Sequence, residues 1–209
     1  MSYIQGLPEN EKSHDEFHDK YLYGAKLPVL PTLIPIGTVG EYPIFIVDAS
    51  IPKRIRVQLS KITFVAQIET PEFSTGYDGN ISEAGEQLFL LTNSNRAIAF
   101  VLTALDEYYW NFIWSANGTP KLLNKKAYRV TRQKIGRIWV AKGYRRQGIG
   151  ALMTKTVVRH LGYDLSDIGW ELPLTEDGTA LLRRLVPLKW WGRGDSFAVQ
   201  ETISITMKT

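Results

Sequence analysis

The 209-residue sequence contains no cysteine. Disulfides, cysteine nucleophiles and thiolate-bound zinc are therefore excluded. It also lacks any run of about 18 apolar residues, the length needed to cross a bilayer as a helix. No charged-then-apolar signal segment opens the chain. The expectation is a soluble intracellular protein with no membrane partner. Charge excess is small as well. A net charge of +4 favours an anionic cofactor or partner and is too little to argue nucleic-acid binding by itself. No repeat and no low-complexity tract is visible. What the chain does have is apolar and aromatic content, including six tryptophans. That is enough for a sizeable core in one domain, with or without an appendage.

Two regions are expected, residues 1–40 and 41–209. The first is polar at its start, and Ser13 with Glu16 has the spacing of a capping box opening a short amphipathic helix. Phe17, Tyr21 and Leu22 would share one face of it. His14 and His18, four apart, would also share a face, but two histidines fall short of the four ligands of a structural zinc, and no metal is expected. Residues 27–40 are rich in Pro and Gly and read as an extended arm. In the second region Tyr42–Asp48 reads as a strand. Ser50 and Pro52 open a helix to about Ile68, and 70–86 reads as a loop. Leu88–Thr92 and Ala97–Leu105 form a hairpin, followed by a separate aromatic strand at Tyr108–Trp114. After the central segment come a short strand at Ile168–Leu172 and a helix opened by Thr175-Glu176-Asp177-Gly178 and running over Thr179–Leu185. A loop at Trp190–Asp195 and a final strand at Ser196–Met207 complete the chain. The fold class is α+β, a mixed and mostly antiparallel sheet with a strand–loop–helix unit at its centre.

That unit is Arg137–His160. Ile138, Trp139 and Val140 suit a pleated strand. Ile149, Leu152, Met153, Thr156 and Val157 recur at helical spacing. Between them lies Arg145-Arg146-Gln147-Gly148-Ile149-Gly150. The first amides of a helix have no intrahelical partner and its dipole favours negative charge there. Gly148 and Gly150 let an anion approach the backbone, and Arg145 and Arg146 add charge-assisted donors. The loop is neither a Walker loop nor the dinucleotide fingerprint. An ordinary βα turn would not account for three consecutive polar residues at the helix start.

The loop matches Arg/Gln-x-x-Gly-x-Gly/Ala, the pyrophosphate motif of the GCN5-related N-acetyltransferases. Val140, Tyr144 and Leu152 flank it in that superfamily's order. By strand and helix order the resemblance covers residues 41–207. Arg137–Val140 (Arg-Ile-Trp-Val), His14-x-x-x-His18, and Pro173 through Asp177-Gly178 are similar to segments of the cohesin acetyltransferases. The chain departs from that branch in lacking the zinc-finger cysteines, in its Gly-x-Gly loop and in having Glu171-Leu172 where a Ser-Asp pair is usual.

The resemblance implies acetyl-CoA as cosubstrate. Arg145, Arg146, Gln147, Gly148, Ile149 and Gly150 would hold the pyrophosphate. Ile138, Trp139 and Val140 would pair with the pantetheine arm, and a backbone amide at or near Val140 would polarise the thioester carbonyl. A general base must deprotonate the acceptor amine. Glu171 is the candidate, being placed at a strand end across the cleft; the alternative is a surface carboxylate with no catalytic role. No tyrosine lies in Thr179–Leu185, where many relatives keep one. The expected function is acetyl transfer to a protein lysine. Transfer to small amines or antibiotics is the alternative, as is a silent protein that binds acyl-CoA or nucleic acid. The compartment would be cytoplasmic, or nuclear if the cohesin-type resemblance holds.

Overall fold

The computed structural model describes residues 8–27, 33, 35–69, 85–124, 126–172 and 174–193. The elements, in chain order, are α1 (Pro8–Tyr23), β1 (Ala25–Lys26), β2 (Pro35–Val39), β3 (Tyr42–Val47), α2 (Lys53–Glu69), β4 (Gln87–Asn93), β5 (Arg96–Trp114), β6 (Pro120–Leu122), β7 (Tyr128–Val140), α3 (Ile149–His160), β8 (Gly169–Glu171), α4 (Glu176–Leu185) and β9 (Lys189–Arg193). The strands form one sheet in the order β2-β3-β4-β5-β7-β8-β9, and β1, β6 and β9 also pair with β5. Only the β7–β8 and β8–β9 pairings are parallel. This is the mixed, mostly antiparallel α+β architecture expected. No helix among the described residues is long and apolar enough to cross a membrane.

The sheet is buried on both sides. Along β4, Phe89 and Leu91 pack with α3 and α4, while Leu88 and Leu90 pack with Leu59, Ile62 and Val65 of α2. Successive residues of a strand face opposite sides, so covering both faces demands the unbroken apolar run Leu88–Leu91.

Several elements differ from the sequence expectation. The helix expected to start at Ser13 already begins at Pro8, which leaves Ser13 inside it. Proline is tolerated in a first turn, and the polar residues after it continue the helix. Part of the expected arm is ordered strand, since β2 pairs with β3. The hairpin strand and the aromatic strand are one 19-residue element, β5. Asp106-Glu107 reads as a break, but the register against β7 shifts between Asp106 and Tyr108. This irregularity bends the strand without ending it. Trp190–Arg193 is strand, not loop. Gly192 looked like a turn signal, yet a Cβ there would stand 2.6 Å from Phe112 Cε2 and 2.9 Å from Leu172 Cδ1. The glycine is there for close packing. Helix α4 begins at Glu176, capped by the Thr175 side chain, which accepts from Gly178 N at 3.0 Å. The expected strand at Ser196–Met207 and nearly all of the 70–86 loop lie outside the described residues.

Helix α1 is clamped to the sheet. Arg96 donates to both carboxylate oxygens of Asp19, at 2.9 and 3.1 Å, and to Gly24 O at 2.7 Å. Gly24 ends the helix at φ 90, and a Cβ on it would collide with Ala97 O. The Arg96 hydrogen bond holds the Asp19 carboxyl below its usual pKa, outweighing partial burial. A depressed carboxylate contributes stability above its unfolded pKa of about 3.9 and loses it as pH falls through the folded value. Asp19→Asn is therefore expected to loosen α1 at pH 7, and the difference from wild type should shrink steadily below about pH 4. Hydrogen exchange of the α1 amides across that range checks this; a difference independent of pH would contradict it.

Candidate active site

The site grows out of β7. Its register against β5 passes from Leu102↔Arg137 to Thr103↔Ile135, leaving Gly136 as an extra residue. The bulge resets the alternation: Ile135, Ile138 and Val140 all pack toward α3 and α4, whereas Trp139 packs toward α2. On its other edge β7 meets β8 only at Lys134↔Gly169 and Ile135↔Trp170. Beyond Ile135 the two strands part. Among the described residues no strand pairs with that edge of Gly136–Val140, so its outward backbone groups stand ready for an extended ligand. The fork opens into a cleft of about 740 Å³, within the usual range for small-molecule sites.

At the open end the chain turns through Lys142–Tyr144 into the loop. Arg146 and Gly148 both have left-handed backbone, at φ 62 and φ 80. Gly148 is the N-cap of α3, and no side chain caps the helix. The first α3 amides thus have no intrahelical partner and face the cleft mouth with the dipole's positive end. A Cβ placed on Gly148 would meet nothing within 4 Å, whereas one on Gly150 would touch Val140 and Leu181 at ordinary distances. The open space thus lies over Gly148, and the backbone forms a concave anion seat there.

Of the residues singled out from sequence, Ile138, Trp139, Val140, Arg145, Arg146, Gly148, Ile149, Gly150 and Glu171 all line this one cleft. Gln147 does not; its amide donates to Gly143 O at 3.1 Å and braces the turn. Arg146 is exposed and reaches Asp177 of α4 at 2.8 Å. Arg145 is engaged within the protein. Its Nε donates to Val140 O at 2.7 Å and its Nη2 to Glu69 Oε2 at 2.6 Å. The Glu69 hydrogen bond raises the Arg145 pKa against the opposing effect of burial. Burial lowers the pKa of Arg137, another cleft residue.

Glu171 stands at the fork, one residue past the last β7–β8 pair. Its carboxylate is ion-paired with Lys134, and Lys134 Nζ also contacts Asp106 Oδ2 at 3.1 Å, which Arg193 Nε reaches at 3.0 Å. The Glu171 carboxylate is thus the end of a chain of ion pairs on four strands. Burial would raise the Asp106 pKa, but the Glu107 amide and the two cations hold it low. His14 and His18 lie away from the cleft-lining residues, with their rings edge to face at 4.3 Å.

Sequence reasoning missed Glu69 and Lys134. Glu69 sits 76 residues from Arg145 at the end of a helix, where an acidic residue reads as solvated. Lys134 reads as one of many strand cations. No local pattern marks either.

No family model matches the sequence, and no curated protein matches it. Solved structures do. The xEco2 acetyltransferase domain matches with a TM-score of 0.59 at 15% identity, over 78% of this chain and 97% of that one. The same domain bound to a K105-CoA conjugate matches with a TM-score of 0.58 at 15% identity, over 78% of this chain and 98% of that one. The expected α+β architecture is thus met: this chain has the fold of the xEco2 acetyltransferase domain.

Proposed function

We propose that the protein is an acetyl-CoA-dependent N-acetyltransferase whose acceptor is a protein lysine. The observation that carries the reading is the β7–β8 fork, with its unpaired strand edge leading to an uncapped helix over an open Gly148. That combination suits a ligand with a diphosphate at one end and an extended amide-bearing arm. The solved neighbour with a CoA conjugate supports this assignment. In this reading the α3 amides and Arg146 hold the diphosphate and the arm pairs with Gly136–Val140. The thioester then lies at the fork beside Glu171.

Transfer needs a neutral amine. Glu171 takes the ammonium proton, and Lys134 fixes its carboxylate. The amine nitrogen attacks the thioester carbonyl carbon, a β7 amide stabilises the oxyanion, and the carbon–sulfur bond breaks. The CoA thiolate leaves and takes up the proton shed by the new amide nitrogen; with no tyrosine on α4, water carries it.

Mass spectrometry of lysine peptides and of small amines incubated with the protein and acetyl-CoA tests this. Acetylated peptide lysine is the expected product. Acetylated small amines alone would replace the acceptor assignment, and no transfer to either would refute the reading. Glu171→Gln is expected to lower kcat by about 100-fold while leaving acetyl-CoA affinity unchanged. An unchanged kcat would assign Glu171 to the ion-pair network alone.

A further inference from the structure

We propose that Glu69, which lines the cleft, is a positioning residue for the cofactor loop: through Arg145 and Trp139 it sets the shape of the diphosphate seat rather than binding the diphosphate itself. The inference rests on the acetyl-CoA reading of the cleft. One carboxylate oxygen, Oε2, accepts from Arg145 Nη2 at 2.6 Å and from Trp139 Nε1 at 3.0 Å. Both donors lie at turning points of the site. Trp139 is on the strand edge offered to the arm, and Arg145 is the last residue before the left-handed turn at Arg146.

Glu69 is itself fixed. It is the final residue of α2, whose Leu59, Ile62, Val65 and Ala66 are buried against the sheet. Arg145 Nε closes the bracket on Val140 O, and the Tyr21 ring of α1 lies 5.5 Å from the guanidinium. Two helices and the central strand therefore meet at one side chain. Glu69 and Arg145 are about three-quarters buried, at 24% and 27% side-chain exposure, so the pair is only partly screened by solvent.

This divides the loop's cations by task. Arg145 is neutralised by Glu69 and shapes the turn. Arg146 is largely exposed, held only by an exposed partner, and is the cation that meets the diphosphate. Removing the Glu69–Arg145 pair together should then act through geometry, and removing Arg146 through charge.

Calorimetric titration of acetyl-CoA at several salt concentrations tests the division, with thermal melting to check folding. Wild type should bind. Glu69→Ala and Arg145→Met should each weaken binding by about tenfold or more. The double variant should be no worse than the weaker single, since both break one bracket. Glu69→Gln should bind at least as well as wild type, because an amide oxygen accepts both hydrogen bonds and Arg145 is no longer neutralised. The salt dependence of binding should be unchanged in the double variant, which removes a net-neutral pair, and flatter in Arg146→Gln. If Glu69→Ala does not fold, Glu69→Asp takes its place; it keeps the charge and withdraws the carboxylate, and should also weaken binding. A folded Glu69→Ala or Glu69→Asp that binds like wild type, losses that simply add, or a flatter salt dependence in the double variant would overturn the inference. Failure of wild type itself to bind would instead overturn the acetyl-CoA reading.

Discussion

Gly148→Glu is expected to reduce acetyl-CoA affinity by at least about 100-fold, the loss of two or more charge-assisted hydrogen bonds. Three features of the position combine. The space over Gly148 is open, so a side chain enters it without displacing protein atoms. That space is where the diphosphate sits in the proposed complex. A glutamate carboxylate would also face the unpaired α3 amides and occupy them as an internal anion. The backbone at φ 80 adds strain of about 1–2 kcal/mol for any residue with a Cβ. This is small enough for the chain to stay folded, and Gly148→Ala separates strain from blockade. Alanine should fold and lose much less affinity than glutamate, since its Cβ intrudes on the seat but carries no charge. Calorimetry on the three proteins gives the comparison, and a glutamate variant that binds like wild type would place the cofactor elsewhere.

The second large effect concerns stability. Trp190→Ala is expected to cost about 3–5 kcal/mol, which lowers the melting temperature by roughly 10 °C in a chain of this size. Trp190 is fully buried. Its ring stacks on Phe112 at 4.6 Å, and the Trp114 ring lies at 5.5 Å. Its Nε1 has no hydrogen-bond partner among the described residues, so the loss is one of cavity and contacts. Trp190 lies on β9, which joins the bent end of β5 to β8. The cavity therefore opens beside the strand that carries Glu171. Thermal unfolding of the variant measures the cost, and a shift below about 2 °C would show that the neighbours collapse to fill the space.

The parts legible in sequence are those whose cause is local. The Arg137–Val140 end of β7, the Arg145–Gly150 loop and α3 announce themselves through apolar spacing, glycines at a helix start and adjacent cations, all within 24 residues. The β4–β5 hairpin is legible for the same reason. What escaped depends on residues far apart in the chain. Asp106-Glu107 looks like a break, but Lys134 and Arg193 hold Asp106 from neighbouring strands. Gly192 looks like a turn until Phe112 and Leu172 are placed against it. Arg145 looks like a free phosphate ligand until α2 brings Glu69 to it. Glu171 was found by its position at the end of β8, while its partner Lys134 emerges only once β7 and β8 are seen to be parallel neighbours.

The most direct test of the central claim is hydrogen exchange of the wild-type protein with and without acetyl-CoA, read by mass spectrometry. Protection is expected at Gly136–Val140 and at Arg146–Ala151, the strand edge and the helix amides that the cofactor would engage, with α1 and β2–β3 unchanged. Protection confined to another surface, or none at saturating acetyl-CoA, would contradict it.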